Sequence, residues 1–228
     1  MKIKNVTLGV SLLIGTVAMP ATAQDITVDG LLGLVTDYRE NGVSLTSKDP
    51  AAIGNLRLTH KSGLYGDIFL ASMGDRSGDD VIVDSTLGYS WDGDVYSYSL
   101  ATSLKSYHGG PDESRFYPEI KASISRDFGI FYVKGGLEYA FDGRWFAQDN
   151  NAIYGSIDLE LPVPKMPELT VVTHLGYDMI DGYQNGWDWR VGLSAFHKDF
   201  ELTLMYDDSS LNIPDASGTV SFGLKWYF

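Results

Sequence analysis

Twelve short runs can be marked out in this chain, most of them with apolar residues on every second position, and the gaps between them alternate between short and long. The runs span approximately 26–37, 51–60, 64–73, 81–91, 94–106, 116–126, 129–141, 151–162, 168–178, 187–197, 200–207 and 217–228. A period of two is the mark of a strand whose two faces meet different surroundings. In 129–141, Phe131, Val133, Leu137, Tyr139 and Phe141 share one face, and Tyr132, Lys134 and Glu138 share the other. The last run is equally regular, with Val220, Phe222, Leu224, Trp226 and Phe228 against Ser221, Gly223, Lys225 and Tyr227. Runs 26–37 and 81–91 alternate poorly.

Alternation alone fits a soluble sandwich as well as a membrane barrel, so the gaps decide. Lys61-Ser62-Gly63, Asp92-Gly93, Asp127-Phe128, 162–167 and Lys198-Asp199 are tight links of the kind that join antiparallel neighbours. The other gaps, 38–50, 74–80, 107–115, 142–150, 179–186 and 208–216, are longer. All the long loops then fall at one end, as in an outer-membrane barrel with short periplasmic turns and longer extracellular loops. Aromatic residues near the strand ends, such as Tyr38, Tyr89, Trp91, Tyr107, Trp187 and Trp226, fit the interfacial girdles of such a barrel. The expectation is an all-β, antiparallel transmembrane barrel of twelve strands in the outer membrane of a Gram-negative bacterium. Closure also removes the sheet edges that hydrocarbon does not tolerate.

The N-terminus supports export. Lys2 and Lys4 precede a mostly apolar stretch from Val6 to Ala18, and Ala21-Thr22-Ala23 offers the small residues of a signal-peptidase site. Residues 1–23 read as a cleaved signal peptide and 24–228 as one barrel domain. Without Lys2 and Lys4, 15 basic residues face 30 acidic ones, a net charge of −15 that disfavours nucleic acid as a partner. With no cysteine, a disulfide scaffold, a thiol nucleophile and a Cys-ligated metal are excluded.

Several short stretches, in order, resemble the TorF family of proteobacterial outer-membrane porin-like proteins. They are Thr36-Asp37-Tyr38-Arg39 at the end of the first run, Gly42-Val43-Ser44 in the first long loop, Ser62-Gly63-Leu64-Tyr65-Gly66 at the first short turn, and Phe116-Tyr117-Pro118-Glu119 opening the sixth run. Phe228 is similar to the residue through which outer-membrane proteins meet the barrel-assembly machinery. The family commonly has an aromatic residue and a further Arg where this chain has Glu40 and Asn41, so the resemblance does not extend to a basic first loop. It implies a pore and leaves the solute open.

Twelve strands about 4.8 Å apart and tilted about 40° enclose a backbone cylinder of roughly 12 Å radius. Inward side chains narrow it to a passage for ions and small hydrophilic solutes. Mid-strand charges on the polar faces, Arg57, Lys121, Lys134, Glu138, Asp158 and Arg190, are the candidate pore lining. Arg39, Glu40, Lys48 and Asp49 are candidates for an inward-folded constriction in the first loop, with an ordinary solvated loop as the alternative. The acid excess favours a weak preference for cations. A salt-bridged, sealed barrel with a structural or adhesive role is the competing reading. Enzymatic activity is not expected: no Gly-x-Ser-x-Gly elbow and no zinc-spaced histidine pair occurs, and His174 reads as a hydrogen-bonded packing residue. Asp75, Ser77, Asp79 and Asp80 lack the Gly and distal Glu of a calcium loop and read as an acidic turn. No cofactor or metal is expected. The expected partners are outer-membrane lipid and lipopolysaccharide, the assembly machinery, and the solute, with a monomer favoured over a trimer.

Overall fold

The computed structural model describes residues 25–74, 79–110, 115–141, 143–144 and 146–228. The expected signal peptide, and Asp75 and Ser77 of the acidic turn, lie outside them. Twelve strands form one closed barrel: β1 (Ile26–Val35), β2 (Ala51–His60), β3 (Leu64–Ser72), β4 (Val81–Asp92), β5 (Ser97–His108), β6 (Arg115–Asp127), β7 (Tyr132–Ala140), β8 (Ala152–Val163), β9 (Met166–Ile180), β10 (Gly186–His197), β11 (Phe200–Ser209) and β12 (Thr219–Tyr227). Each pairs antiparallel with its neighbours in sequence, and β1 pairs with β12 to close the ring. Short turns lie at one end and the longer loops at the other, as the gap lengths predict.

The alternation has a direct structural cause. Leu32 and Leu34 of β1, Leu56 and Leu58 of β2, Leu202 and Leu204 of β11, and Phe222 and Leu224 of β12 are exposed on the outer surface, where lipid takes the place of a core. The intervening residues face the lumen, and the register sets opposite charges side by side. Arg57 stands opposite Asp67, Asp84 opposite Lys105, Lys134 opposite Asp158, Arg190 opposite Asp207 and Glu201 opposite Lys225. Such cross-strand pairs add to ladder stability and pin the register.

Two turns are longer than the sequence suggests. Asp92-Gly93 reads as a two-residue link, yet β5 starts only at Ser97, and Gly93 N donates to Tyr96 O at 2.8 Å. Asp127-Phe128 likewise extends to Phe131: Phe128 and Phe131 stack at 4.6 Å, and Asp127 Oδ1 accepts from Gly129 N at 2.6 Å. In both, an aromatic pair or a capping carboxylate makes four residues more favourable than a tight hairpin. The 162–167 link is instead shorter, only Pro164 and Lys165. Pro118 sits within β6 without breaking it, because its carbonyl takes the Phe141 N–H at 2.9 Å where the β7 ladder ends. Its missing donor therefore falls at the margin of the pairing.

The closing seam continues past β12. Gly30 N donates to Phe228 O at 2.9 Å and Phe228 N donates to Gly30 O at 3.0 Å. The Phe228 ring occupies the place a side chain at residue 30 would take, so a larger residue there would have to displace the ring. Trp226 packs on the same ring at 5.1 Å between centroids. Phe228→Ala is expected to lower the yield of folded barrel in lipid vesicles severalfold, read from the faster migration of unheated folded protein on gels. An unchanged yield would show that closure is complete without the ring.

Candidate solute path in the barrel lumen

The first long loop turns back into the barrel. Arg39 and Glu40 pair with Ser44 and Val43 in a two-stranded ribbon, and Asn41-Gly42, at φ of 46° and 75°, forms its tip. Asn-Gly is the dipeptide that best accepts two positive φ values, so a tight hairpin forms here rather than an open loop. The tip reaches the far wall, where Gly42 packs so closely on Asp188 of β10 and Ser209 of β11 that a Cβ would overlap both.

Buried polar contacts hold this hairpin in shape. Asp37 accepts from Ser44 Oγ at 2.5 Å, from Thr46 Oγ1 at 3.2 Å and from Arg39 Nη1 at 3.1 Å. Arg39 Nη2 also donates to the Gly42 carbonyl at 2.6 Å and to the Ser217 carbonyl at 3.2 Å, tying the ribbon to the loop before β12. Apolar contacts fix its position. Leu45 is fully buried in a cluster with Ile53, Ala71, Met73, Ile82, Tyr107 and Tyr117, and Tyr38 packs against it and lies 5.4 Å from the Phe69 ring. Burial, together with the Glu40 carboxylate, raises the Tyr38 phenol far above its usual range, so the ring stays neutral. Val43 joins Leu211 and Ala216 in a second small cluster.

A charge network clamps the other side of the hairpin. Glu40 forms an ion pair with Lys105 of β5, and Lys105 Nζ lies 3.4 Å from Glu119 Oε1. Glu119, almost wholly buried, also sits 3.0 Å from Lys121 and 3.5 Å from Arg144, and it accepts from Ser103 Oγ at 3.2 Å. Lys121 reaches Asp84 at 3.3 Å, and Arg144 Nε lies 2.7 Å from Asp178 Oδ2. Burial works against the Arg144 charge, but the Asp178 and Glu119 carboxylates more than offset this and raise its pKa. The Asn41 side-chain oxygen, oriented to accept, lies 3.0 Å from Arg144 Nη1. Between Glu40, Lys105, Glu119, Arg144 and their neighbours only about 10 Å³ remains, at most the room of one water.

Space survives on either side of the hairpin tip. One cavity of about 400 Å³ is lined by Tyr38, Arg39 and Glu40 together with lumenal residues of β1 to β5 and β10 to β12. A second, of about 450 Å³, is lined by Asn41 and by lumenal residues of β2 to β9, several of them near the turn end, such as Ser90, Ser97 and Tyr132. Glu40 borders the first and Asn41 the second, so consecutive residues of one hairpin divide the lumen.

A family model described as "Bacterial protein of unknown function (Gcw_chp)" matches residues 19–223. The chain belongs to this family. No curated protein matches it by sequence. Among solved structures, this Gcw_chp barrel is similar to the NanC porin, with TM-score 0.57, 11% identity, and coverage of 87% of this chain and 98% of that one. It is similar to the KdgM porin with TM-score 0.56 at 11% identity, covering 88% and 98%. LpxR from Salmonella typhimurium shares the fold at TM-score 0.50 and 11% identity, covering 88% and 100%. At these identities the likeness is one of fold: the Gcw_chp protein shares the closed antiparallel β-barrel of these structures.

Of the candidate pore residues, Arg57, Lys121, Lys134, Glu138 and Asp158 of the Gcw_chp chain line the 450 Å³ cavity, and Arg190 lines the other. Arg57 lies over the Tyr65 ring at 3.8 Å. Of the loop candidates, Arg39 and Glu40 enter the lumen. Lys48 and Asp49 remain exposed at the loop end, Lys48 donating to Ser217 Oγ at 2.6 Å. His174 is hydrogen-bonded, as its sequence position suggests: Nδ1 lies 2.6 Å from Asp158 Oδ1, and Nε2 lies 2.7 Å from Tyr154 Oη and 3.2 Å from Asp188. Asp79 of the acidic turn is buried and paired with Arg115. Among the described residues no group of three His, Asp or Glu is placed to hold a metal ion. Sequence reasoning misses Arg144, Asp37 and Asn41. The Asn41-Gly42 dipeptide is the one local cue that marks the inward hairpin in advance.

Proposed function

We propose that this protein is a passive outer-membrane channel for ions and small hydrophilic solutes, narrowed by the first-loop hairpin. The observation that carries the reading is the pair of lumenal cavities, about 400 and 450 Å³, that flank that hairpin and are both bordered by charged side chains. Arg57, Lys121, Lys134, Glu138, Asp158 and Arg190 form the pore lining, and Arg39 and Glu40 belong to the constriction. The short stretches that resemble TorF proteins support membership of that porin group. The acid excess of the whole chain supports a weak preference for cations. Both ring nitrogens of His174 are held by acids and a phenol, which supports a non-catalytic lumen. Phe228 serves assembly by completing the β1–β12 seam, and one chain closes the whole barrel, which supports a monomer.

The experiment is single-channel recording of the refolded mature chain in a planar bilayer under a salt gradient. Reproducible steps with a modest cation-selective reversal potential are expected. The alternative, a sealed barrel, is favoured by the buried network around Glu119. Absence of conductance from demonstrably folded protein across a wide voltage range would establish the sealed barrel instead.

A further inference from the structure

The 400 Å³ cavity has two unlike walls. On one side Leu31, Val35, Ile53 and Phe69 of β1 to β3 present apolar side chains to the lumen, where an outer-membrane barrel ordinarily presents polar ones. Tyr38 of the hairpin extends this wall. On the other side stand Arg190 and Lys225. Each has an acidic partner that lies deeper: Asp207 is 4% exposed against 38% for Arg190, and Glu201 is 10% exposed against 24% for Lys225. Arg190 and Lys225 are thus the more exposed members of their pairs, while the acids that also border the cavity, Asp37, Glu40, Asp84 and Asp207, are each engaged by a cation. Arg190 spends only its Nε on Asp207, at 2.5 Å, and among the described residues its two terminal nitrogens have no hydrogen-bond partner. A guanidinium held by one edge offers the remaining donors as a fork that matches a carboxylate.

We propose that this cavity is a binding site for a small monocarboxylate with an apolar body, either one aromatic ring or a short branched chain. The carboxylate takes the Arg190 fork, with Lys225 nearby, and the body lies along the Leu31–Ile53–Phe69 wall. The volume falls at the lower end of the roughly 300–1,000 Å³ of small-molecule sites, which suits one ring and excludes an oligosaccharide. The proposal rests on the porin reading only in placing the site on a solute path.

The test is calorimetric titration of the full mature barrel, folded in detergent, with phenylacetate, phenethylamine and 2-phenylethanol, each corrected for titration into protein-free micelles. Phenylacetate is expected to bind saturably with one site, and the amine and the alcohol at least tenfold more weakly. Arg190→Lys, which keeps the charge but loses the fork, is expected to weaken phenylacetate severalfold. Arg190→Met combined with Asp207→Asn, which leaves no buried charge alone, is expected to weaken it about tenfold or more. Equal binding of all three probes overturns the proposal, as does undiminished phenylacetate affinity in either folded variant. Binding is read without current flow, so the two readings fail separately. Saturable binding by a barrel that never conducts removes the channel and keeps the site, whereas conductance without phenylacetate binding does the reverse.

Discussion

Replacing residues 38–48 by Gly-Ser-Gly is expected to raise the single-channel conductance severalfold and to weaken whatever charge selectivity the intact protein shows. The barrel itself should survive, because Val35 and Ala51 are directly paired and the seven residues then left between them, Thr36-Asp37, Gly-Ser-Gly and Asp49-Pro50, are ample to close the turn. What disappears is the hairpin that reaches from the β1–β2 wall to Asp188 and Ser209 and separates the two cavities. Two milder variants guard against a misfolded result. Gly42→Val cannot keep a φ of 75° and would drive its side chain into the far wall, so the tip must withdraw. Glu40→Gln releases the Lys105 contact while leaving Lys105 beside Glu119. Conductance should rise in the order Glu40→Gln, Gly42→Val, loop replacement. Equal conductance in all three and the native protein would mean that current does not pass the hairpin. A Leu45→Ala change should act in the same direction, since Leu45 is the main apolar anchor of the loop.

The same hairpin explains where the sequence was hard to read. Most strands alternate cleanly because one face meets lipid and the other a polar lumen. β1 does not, because Leu31 and Val35 face inward and pack against the cluster around Leu45. β4 does not for the same reason, with Ile82 fully buried in that cluster. Their irregular pattern is a record of a small core inside the barrel, which binary patterning assigns to neither face. Strand number, order and the alternation of loop lengths were legible because each follows from local periodicity and turn residues. Most bounds agree within two residues, and the larger shifts fall at turns such as 93–96, where Tyr96 rather than Gly93 ends the link. Arg144 was not legible at all. A charged residue in a loop normally faces water, and nothing nearby in the chain announces Glu119 or Asp178, each more than twenty residues away.

Arg144→Met is expected to be the most damaging single substitution in the lumen, lowering unfolding stability by about 3–5 kcal/mol, the usual consequence of leaving a buried charge without its partner. The reason is an asymmetry among the acids that meet in this network. Glu119 has Lys105 and Lys121 as well as Arg144, so it remains compensated when Arg144 is lost. The Asp178 side chain is only 2% exposed, and among the described residues Arg144 is its one ion-pair partner. Restoring charge balance should therefore recover stability: the double variant Arg144→Met, Asp178→Asn is expected to be more stable than Arg144→Met alone, although it carries one more change. Glu119→Gln should cost less than Arg144→Met, because Lys105 keeps Glu40, Lys121 keeps Asp84 and Arg144 keeps Asp178. Reversible urea unfolding of the barrel in lipid vesicles gives the comparison through the midpoint and slope of each variant. If the double variant proves less stable than Arg144→Met, the contribution of Arg144 lies in its contacts with Asn41 and Glu119, and the hairpin, not Asp178, is what this residue holds in place.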